Sequence, residues 1–192
     1  MELKRVVVTG FGAITPVGNN AKDYWESLVK GESGAAPITL FDATNFKTKF
    51  ACEVKNFDPL EHFDKKEAKK MDRNTQLGVV AAREAVTHSG IMEANVDKNR
   101  VGVIWGSGIG GLETFEKEVL EWAGTDIPRF NPFFIPKMIA DITGGQISIE
   151  YGFHGPNYTT VSACASSANA LIDGKMLIQL GKADVIVCGG SE

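Results

Sequence analysis

The stretch TTVSACASSANAL, residues 159–171, sets one cysteine among small, uncharged side chains. No residue from Tyr158 to Ile172 is charged, although charged residues make up 23% of the chain. The β-branched residues at its front predict a strand, and the Ala, Ser and Asn residues behind them predict a helix that neighbouring backbones can approach closely. We therefore expect a strand, a tight turn at residues 162–163 and a helix buried on most sides, with Cys164 in or near its first turn.

The position of Cys164 suits a nucleophile. At the start of a helix, free N–H groups and the positive helix end favour a thiolate and lower the thiol pKa from about 8.5. The same amides can stabilise the oxyanion that forms when the sulfur attacks a carbonyl. This is the logic of a nucleophile elbow, here without the GxSxG letters. The alternative is a core residue, because free cysteine is among the most buried residue types. We interpret Cys52 and Cys188 as core.

Composition limits the classes of partner and of site. The chain has 192 residues and a formal net charge of −4, which does not favour nucleic acid as a partner. Its three cysteines are widely spaced and form no CxxC or Cys/His pattern, so neither disulfides nor a metal site are indicated. The start carries no signal peptide, and no apolar run approaches the roughly 20 residues that span a bilayer. We therefore expect a cytoplasmic protein that does not engage a membrane.

Strand patterns alternate with helix patterns along the whole chain. Such alternation favours an α/β fold, with a mostly parallel sheet and helices on both faces. The strand patterns lie at 5–12, 100–111, 156–163 and 183–192, and residues 46–57 suit a strand or an extended arm. The helix patterns lie at 21–31, 65–90, 112–124, 139–152 and 163–182.

Five segments carry a resemblance to one family. GPNYTTVSACASSANAL (155–171) resembles the active-site segment of the elongating β-ketoacyl-acyl carrier protein synthases, the thiolase-like condensing enzymes. The other segments resemble, in the family's order, its first strand and loop, its central glycine loop, its pocket segment beside the dimer interface and the strand that closes its first half. They are VVVTGFGAITPVGN (6–19), GSGIGGLE (106–113), NPFFIPKMIAD (131–141) and GKADVIVCGGSE (181–192).

The resemblance implies both a fold and a reaction. The fold would be a thiolase-like half, three-layer α-β-α with a five-stranded, mixed but mostly parallel sheet, and residues 1–192 would form the N-terminal half of a synthase. Cys164 would take an acyl group from an acyl carrier protein as a thioester. The carbanion from decarboxylated malonyl-carrier protein would then attack it and give a 3-ketoacyl chain two carbons longer. The implied enzyme is a homodimer and needs no metal or organic cofactor.

Further residues take roles from the resemblance. Ile109 matches the residue that gates the acyl pocket in the type II enzymes, and Phe134 and Ile135, with Phe133, would line the acyl tunnel. The residues implied in docking the acidic carrier protein are Lys65, Lys66, Lys69, Lys70 and Arg129. The sequence pattern alone fits a second interpretation equally well. In it, the lysines form a solvated helix face and the apolar residues belong to the hydrophobic core.

The family's two catalytic histidines and its supporting lysine lie in motifs that follow the last residue of this sequence. The histidines present, His62, His88 and His154, are interpreted as exposed loop or helix-end residues. We therefore expect residues 1–192 alone to be inactive, since partner acid–base groups contribute about 10²–10⁴-fold to such reactions.

Two alternatives remain from other classes. Gly106, Gly108 and Gly111 satisfy GxGxxG between a strand and a helix, the pattern of an NAD(P)-binding oxidoreductase. Asp126, at the spacing expected for a ribose ligand, falls in a loop rather than at a strand end. The second alternative is the non-catalytic partner subunit of a condensing heterodimer, against which the presence of Cys164 counts.

Overall fold

A computed structural model describes residues 3–127 and 129–192. Its α-helices in these ranges are α1 (Ala21–Lys30), α2 (Lys65–Lys70), α3 (Arg73–Ser89), α4 (Leu112–Ala123), α5 (Phe134–Met138), α6 (Ile142–Tyr151) and α7 (Ser166–Gln179). Its strands are β1 (Ala36–Pro37), β2 (Phe50–Ala51), β3 (Val101–Gly106), β4 (Asn157–Thr160) and β5 (Val185–Gly190). None of the helices in these ranges is both long and apolar enough to cross a bilayer.

The central sheet has the order β4-β3-β5, with both pairs parallel. Val101, Val103 and Ile104 of β3 are completely buried. Helix α7 packs on one face of the sheet, and α3 and α6 pack on the other. The expected α/β class and its three α-β-α layers are therefore confirmed.

The predicted five-stranded sheet does not form among the described residues, where the central sheet has three strands. The separate β1-β2 pair is antiparallel. The strand predicted at residues 5–12 has no strand structure, and Val8 is 81% exposed. A cavity of about 470 Å³ lies between residues 5–10 and β5. The two backbones are therefore too far apart for the hydrogen bonds of a ladder.

The helix predicted over residues 65–90 is two helices. Met71 adopts an extended backbone (φ −113°, ψ 142°) and ends α2. The Asp72 carboxylate accepts a hydrogen bond from the Asn74 N–H and so caps α3. An N-cap aspartate stabilises a new helix start, which the apolar periodicity alone does not reveal. The predicted end at Gly90 is confirmed, with φ +65°.

The positions predicted for the remaining helices are confirmed, but the burial predicted for α7 is not. Helices α1, α4 and α6 lie where the sequence predicts them, and Gly31 ends α1 in the left-handed conformation. The prediction that α7 is buried on most sides is wrong for the described residues. Its sheet-facing residues, Ser166, Ala170 and Gly174, are buried, whereas Leu171 on the far side is 57% exposed. Nothing in the described ranges covers that far side.

Candidate active site

The carboxyl ends of β3 and β5 and the turn that follows β4 line a cavity of about 470 Å³. Ligands of open parallel sheets bind at this edge. Cys164 and Ile109 both line the cavity, so the structure brings these two predicted site residues together. The remaining lining residues are Gly106, Ser107, Gly108, Ala163, Ser166, Ser167, Gly190, Ser191 and Glu192.

A sharp turn places Cys164 between β4 and α7. Ala163 has φ +51°, a left-handed conformation that costs a non-glycine residue roughly 1–2 kcal/mol. The predicted tight turn is therefore confirmed. Helix α7 begins at Ser166, so Cys164 lies two residues before the helix rather than in its first turn. Cys164 lines the cavity next to the amino terminus of α7 and is solvent-exposed.

Hydroxyl and amide groups that are wholly or partly buried hold this turn. The Ser166 hydroxyl donates to the Ala163 carbonyl (2.7 Å) and accepts from the Ser162 N–H (2.9 Å). The Asn169 amide donates to the Ser162 hydroxyl (2.6 Å), and the Thr160 hydroxyl donates to the Ser166 carbonyl (2.8 Å). These bonds tie the strand end, the turn and the first helical residues into one unit, which offsets the strain at Ala163.

The other two cysteines differ from Cys164. Cys188 lies inside β5 as predicted, and its sulfur packs so closely on α7 that a Cβ added at Gly174 would lie 2.3 Å from it. Burial raises the pKa of the Cys188 thiol to about 12, so little thiolate forms there near neutral pH. The prediction of a core position for Cys52 is wrong, because Cys52 is exposed.

Glu192 is a site residue that the sequence analysis missed. Its carboxylate accepts hydrogen bonds from the Ser107 hydroxyl (3.0 Å), the Gly108 N–H (2.8 Å) and the Ile109 N–H (2.9 Å). The glycine-loop groups that a dinucleotide phosphate would need are therefore already paired with an anion, which counts against the NAD(P) alternative. No sequence pattern pairs these residues, because β5 and the loop meet only in the folded sheet.

The residues predicted for the acyl tunnel are divided between two places. Ile109 lies at the Cys164 cavity, whereas Phe134 and Ile135 belong to α5 and are not among its lining residues. The Phe134 ring stacks on Phe130 and Phe115, with ring centroids 5.5 and 6.3 Å away. In the described chain, Phe134 is thus part of an aromatic cluster beside α4.

The predicted docking residues lie on and around α2. All four lysines, Lys65, Lys66, Lys69 and Lys70, are exposed. Lys69 and Arg129 line one cavity of about 600 Å³, together with Lys117 and Lys137 and with Glu118 and Glu121. The Lys70 ammonium group lies 5.4 Å from the centre of the Phe133 ring. Four basic and two acidic side chains thus line this cavity along α4, which gives it a net positive charge.

The three histidines lie away from Cys164, and none of them lines its cavity. His62 stacks on Phe57, with 5.3 Å between ring centroids, and the His88 Nδ1 accepts from the Phe11 N–H (3.3 Å). His154 precedes β4 at the opposite end of the sheet. Within the two described ranges, no three His, Cys, Asp or Glu side chains are grouped as a metal site.

Comparison with known proteins decides the family. Residues 3–192 match the model of the beta-ketoacyl synthase N-terminal domain. The chain belongs to the beta-ketoacyl synthase family. Two curated relatives are each called 3-oxoacyl-[acyl-carrier-protein] synthase 2. The one from Synechocystis sp. is 43% identical over 192 residues, which are 100% of this chain and 46% of that protein. The one from Staphylococcus aureus is 44% identical over 189 residues, 98% of this chain and 46% of that protein.

Solved ketosynthases share the fold. The ishigamide ketosynthase/chain length factor superposes with a TM-score of 0.89 at 29% identity, over 100% of this chain and 48% of that one. A ketosynthase in complex with its type II PKS acyl-carrier protein, bound to the hexaketide, gives a TM-score of 0.85 at 27% identity. The match covers 100% of this chain and 52% of that one. The chain therefore spans about half the length of the synthases that it matches.

Proposed function

We propose that the full-length protein elongates fatty acids by condensing acyl-carrier protein with malonyl-carrier protein to give 3-oxoacyl-carrier protein. The observation that carries this proposal is the position of Cys164, at a sharp strand-to-helix turn and facing a cavity at the carboxyl edge of the sheet. The 43% identity to a 3-oxoacyl-[acyl-carrier-protein] synthase 2 over the whole chain supports the choice of substrates. The presence of Cys164 also favours a catalytic subunit over a non-catalytic partner.

The Cys164 thiolate attacks the acyl carbon of the carrier-borne thioester. A new C–S bond forms, the carrier's sulfur leaves, and that sulfur takes up the proton that Cys164 has lost. Malonyl-carrier protein then loses carbon dioxide, and the electron pair left on its α-carbon attacks the Cys164 thioester. The C–S bond breaks and returns the thiolate. Every step is heterolytic and redox-neutral, so neither an oxidant nor a reductant is consumed.

The oxyanion of each step needs hydrogen-bond donors. We propose that the Cys164 N–H supplies one of them, since backbone amides at such turns stabilise tetrahedral intermediates. We further propose that Ile109 gates the acyl pocket, because it lines the same cavity as Cys164. Ile109 is 62% exposed, so its side chain is not held in the core. Phe134 and Ile135 would line the pocket farther from the thiol.

We propose that residues 1–192 form the N-terminal half of this synthase. The 46% share of the curated relatives that the chain covers supports this assignment. The catalytic histidines and the lysine would then come from the second half. Residues 1–192 alone would not condense substrates, because none of the three histidines lies at the cavity.

We propose that the complete sheet has five strands. The cavity beside β5 supports this, because apolar side chains line it from both sides and the segment at residues 5–10 runs along its far wall. One further strand entering the cavity would pair with β5 on one side and with residues 5–8 on the other. A crystal structure of the full-length protein tests this, and an unpaired β5 edge there would contradict it.

A homodimer and a cytoplasmic location complete the proposal. Strand β4 is an edge strand of the described sheet, and Ile149 and Val161 beside it are 75% and 63% exposed. An exposed apolar edge suits a two-fold interface, where the same patch faces itself. Sedimentation of the full-length protein as a monomer at micromolar concentration would contradict the dimer.

The direct test is a condensation assay with the full-length protein. A long-chain acyl-carrier protein and malonyl-carrier protein should give a 3-oxoacyl product two carbons longer, with one carbon dioxide released per product. Mass spectrometry of the carrier-bound chain reads out the product. If carbon dioxide is released without chain extension, or if neither product forms, the proposed function is wrong.

The basic cavity predicts charge-dependent docking of the acidic carrier protein. Changing Lys69→Glu and Arg129→Glu together should lower kcat/KM for carrier-borne acyl groups about tenfold, because complementary charge speeds the encounter. The value for a small acyl thioester should not change, since that substrate does not use the surface. Added salt should reduce the difference between the two proteins.

Lys22→Glu is the matched control. Lys22 is an exposed lysine of α1, and it neither lines this cavity nor belongs to α2. Equal losses in the control and the double variant, or equal losses with both kinds of substrate, would argue against docking at Lys69 and Arg129.

A further inference from the structure

One carboxylate caps two helices that are distant in the sequence. Asp72 is only 6% exposed. One of its oxygens accepts from the Asn74 N–H (3.1 Å) at the start of α3. The other accepts from the Thr114 N–H (3.1 Å) and the Thr114 hydroxyl (2.5 Å) at the start of α4. All three bonds lie in the interior, where a charge-assisted hydrogen bond is stronger than at the surface.

The start of α4 depends on this contact. Its N-cap residue is Gly111, which makes no side-chain capping bond. Thr114 is the third residue of the helix, so its N–H is one of the four that lack a partner within the helix. Asp72 supplies that partner, and its negative charge also lies at the positive end of the helix. The Asp72 side chain therefore ties the start of α4 to the start of α3.

The loop at residues 107–111 precedes α4 directly and carries Ile109. Its first part is bonded to Glu192, and at its end the Gly111 N–H donates to the Met138 carbonyl (3.0 Å). Gly110 has φ +98°, so the chain turns sharply just after Ile109. A shift of the first turn of α4 would move the end of this loop, and with it the side chain that faces the Cys164 cavity.

We propose that Asp72 is a positioning residue for Ile109: by holding Thr114, it fixes the first turn of α4 and keeps the Ile109 loop against the cavity of Cys164. This inference rests on the proposed acyl transfer to Cys164 and on the proposed gating role of Ile109. Asp72 touches neither the thiol nor the cavity, so it acts on acyl access and not on the chemistry.

The test compares two reagents that label Cys164 in the full-length protein. N-ethylmaleimide is small, whereas N-dodecylmaleimide must bring an alkyl chain past Ile109. Thr114→Val removes the hydroxyl bond to Asp72 and keeps the side-chain size. The ratio of dodecyl to ethyl labelling rates should rise about fivefold, since losing a bond to a charged partner loosens the loop. Thr114→Ser restores the hydroxyl and should return the ratio to the wild-type value.

Thr143→Val is the matched control. Thr143 is as buried as Thr114, and its hydroxyl makes one bond to the Thr75 hydroxyl (3.2 Å) without contacting the loop. Its labelling ratio should stay at the wild-type value. An unchanged ratio in Thr114→Val, or an equal rise in Thr143→Val, overturns the proposal. If Thr114→Val fails to fold, Asp72→Asn replaces it, because this change keeps the side-chain size. The same ratio of dodecyl to ethyl labelling rates is then measured and should rise.

The labelling ratio needs no condensation, so the two proposals fail separately. If the labelling ratio does not rise in Thr114→Val, the role of Asp72 is refuted. If the condensation assay gives no product, the proposed function is refuted.

Discussion

Cys164→Ala should abolish acyl transfer. Wild-type full-length protein incubated with acyl-carrier protein should gain the mass of one acyl group, and the variant should gain none, because alanine has no atom that can form the thioester. Condensation should fall by at least about 10⁴-fold, as is usual when the nucleophile of a covalent mechanism is removed. Intact-protein mass spectrometry measures the first effect, and product formation measures the second.

Cys52→Ala is the matched control for this experiment. Cys52 is also exposed, but it directly follows β2 and does not line the Cys164 cavity. This variant should acylate and condense as the wild type does. An acyl adduct that persists in Cys164→Ala, or that disappears in Cys52→Ala, would show that the nucleophile has been misassigned.

Gly106→Ala should destabilise the protein and disturb the active site together. Gly106 ends β3 directly beneath the start of α7. A Cβ there would lie 2.4 Å from the Ser167 nitrogen and 2.5 Å from the Ser166 carbonyl carbon, which are backbone atoms and cannot rotate away. Overpacking of this kind typically costs about 1–3 kcal/mol in the free energy of unfolding. We expect about 3 kcal/mol from denaturant titration, together with slower labelling of Cys164.

Gly145→Ala is the comparison that isolates the close approach. Gly145 lies inside α6, and an added Cβ would meet nothing within 4 Å. Alanine in the middle of a helix is more stable than glycine by roughly 0.5–1 kcal/mol, so this variant should be slightly stabilised. If Gly106→Ala were as stable as Gly145→Ala, the tight packing of α7 on the end of β3 would be refuted.

The sequence predicted the elements whose signals are local. Strands β3 and β5 are rich in Val and Ile, and Gly31 and Gly90 end helices in the left-handed conformation that glycine adopts freely. The turn before Cys164 was predicted for the same reason, since a β-branched run meets a run of small residues there. Such patterns depend only on neighbours in the chain.

Features that depend on distant contacts escaped prediction. The hydrogen bonds that join Asp72 to the start of α4 reach Thr114, which lies 42 residues farther along the chain. The bonds from Glu192 to the loop around Ile109 span more than 80 residues. Residues 5–8 have a strand composition but no ladder, because a strand needs a neighbour whose backbone it can reach. Periodicity carries no information about such partners.

The open edge of β5 bears on how the protein reaches its native state in the cell. In a synthase of the relatives' length, this edge emerges from the ribosome well before synthesis is complete. During that interval its free amides and carbonyls are a template for pairing with a second nascent chain. Asp184 just before the edge, with Lys4 at 3.7 Å and Arg100 at 2.9 Å, puts charge at one end of it. Flanking charges are typical gatekeepers of apolar strands, so we expect this group to lower the tendency of the edge to aggregate during synthesis.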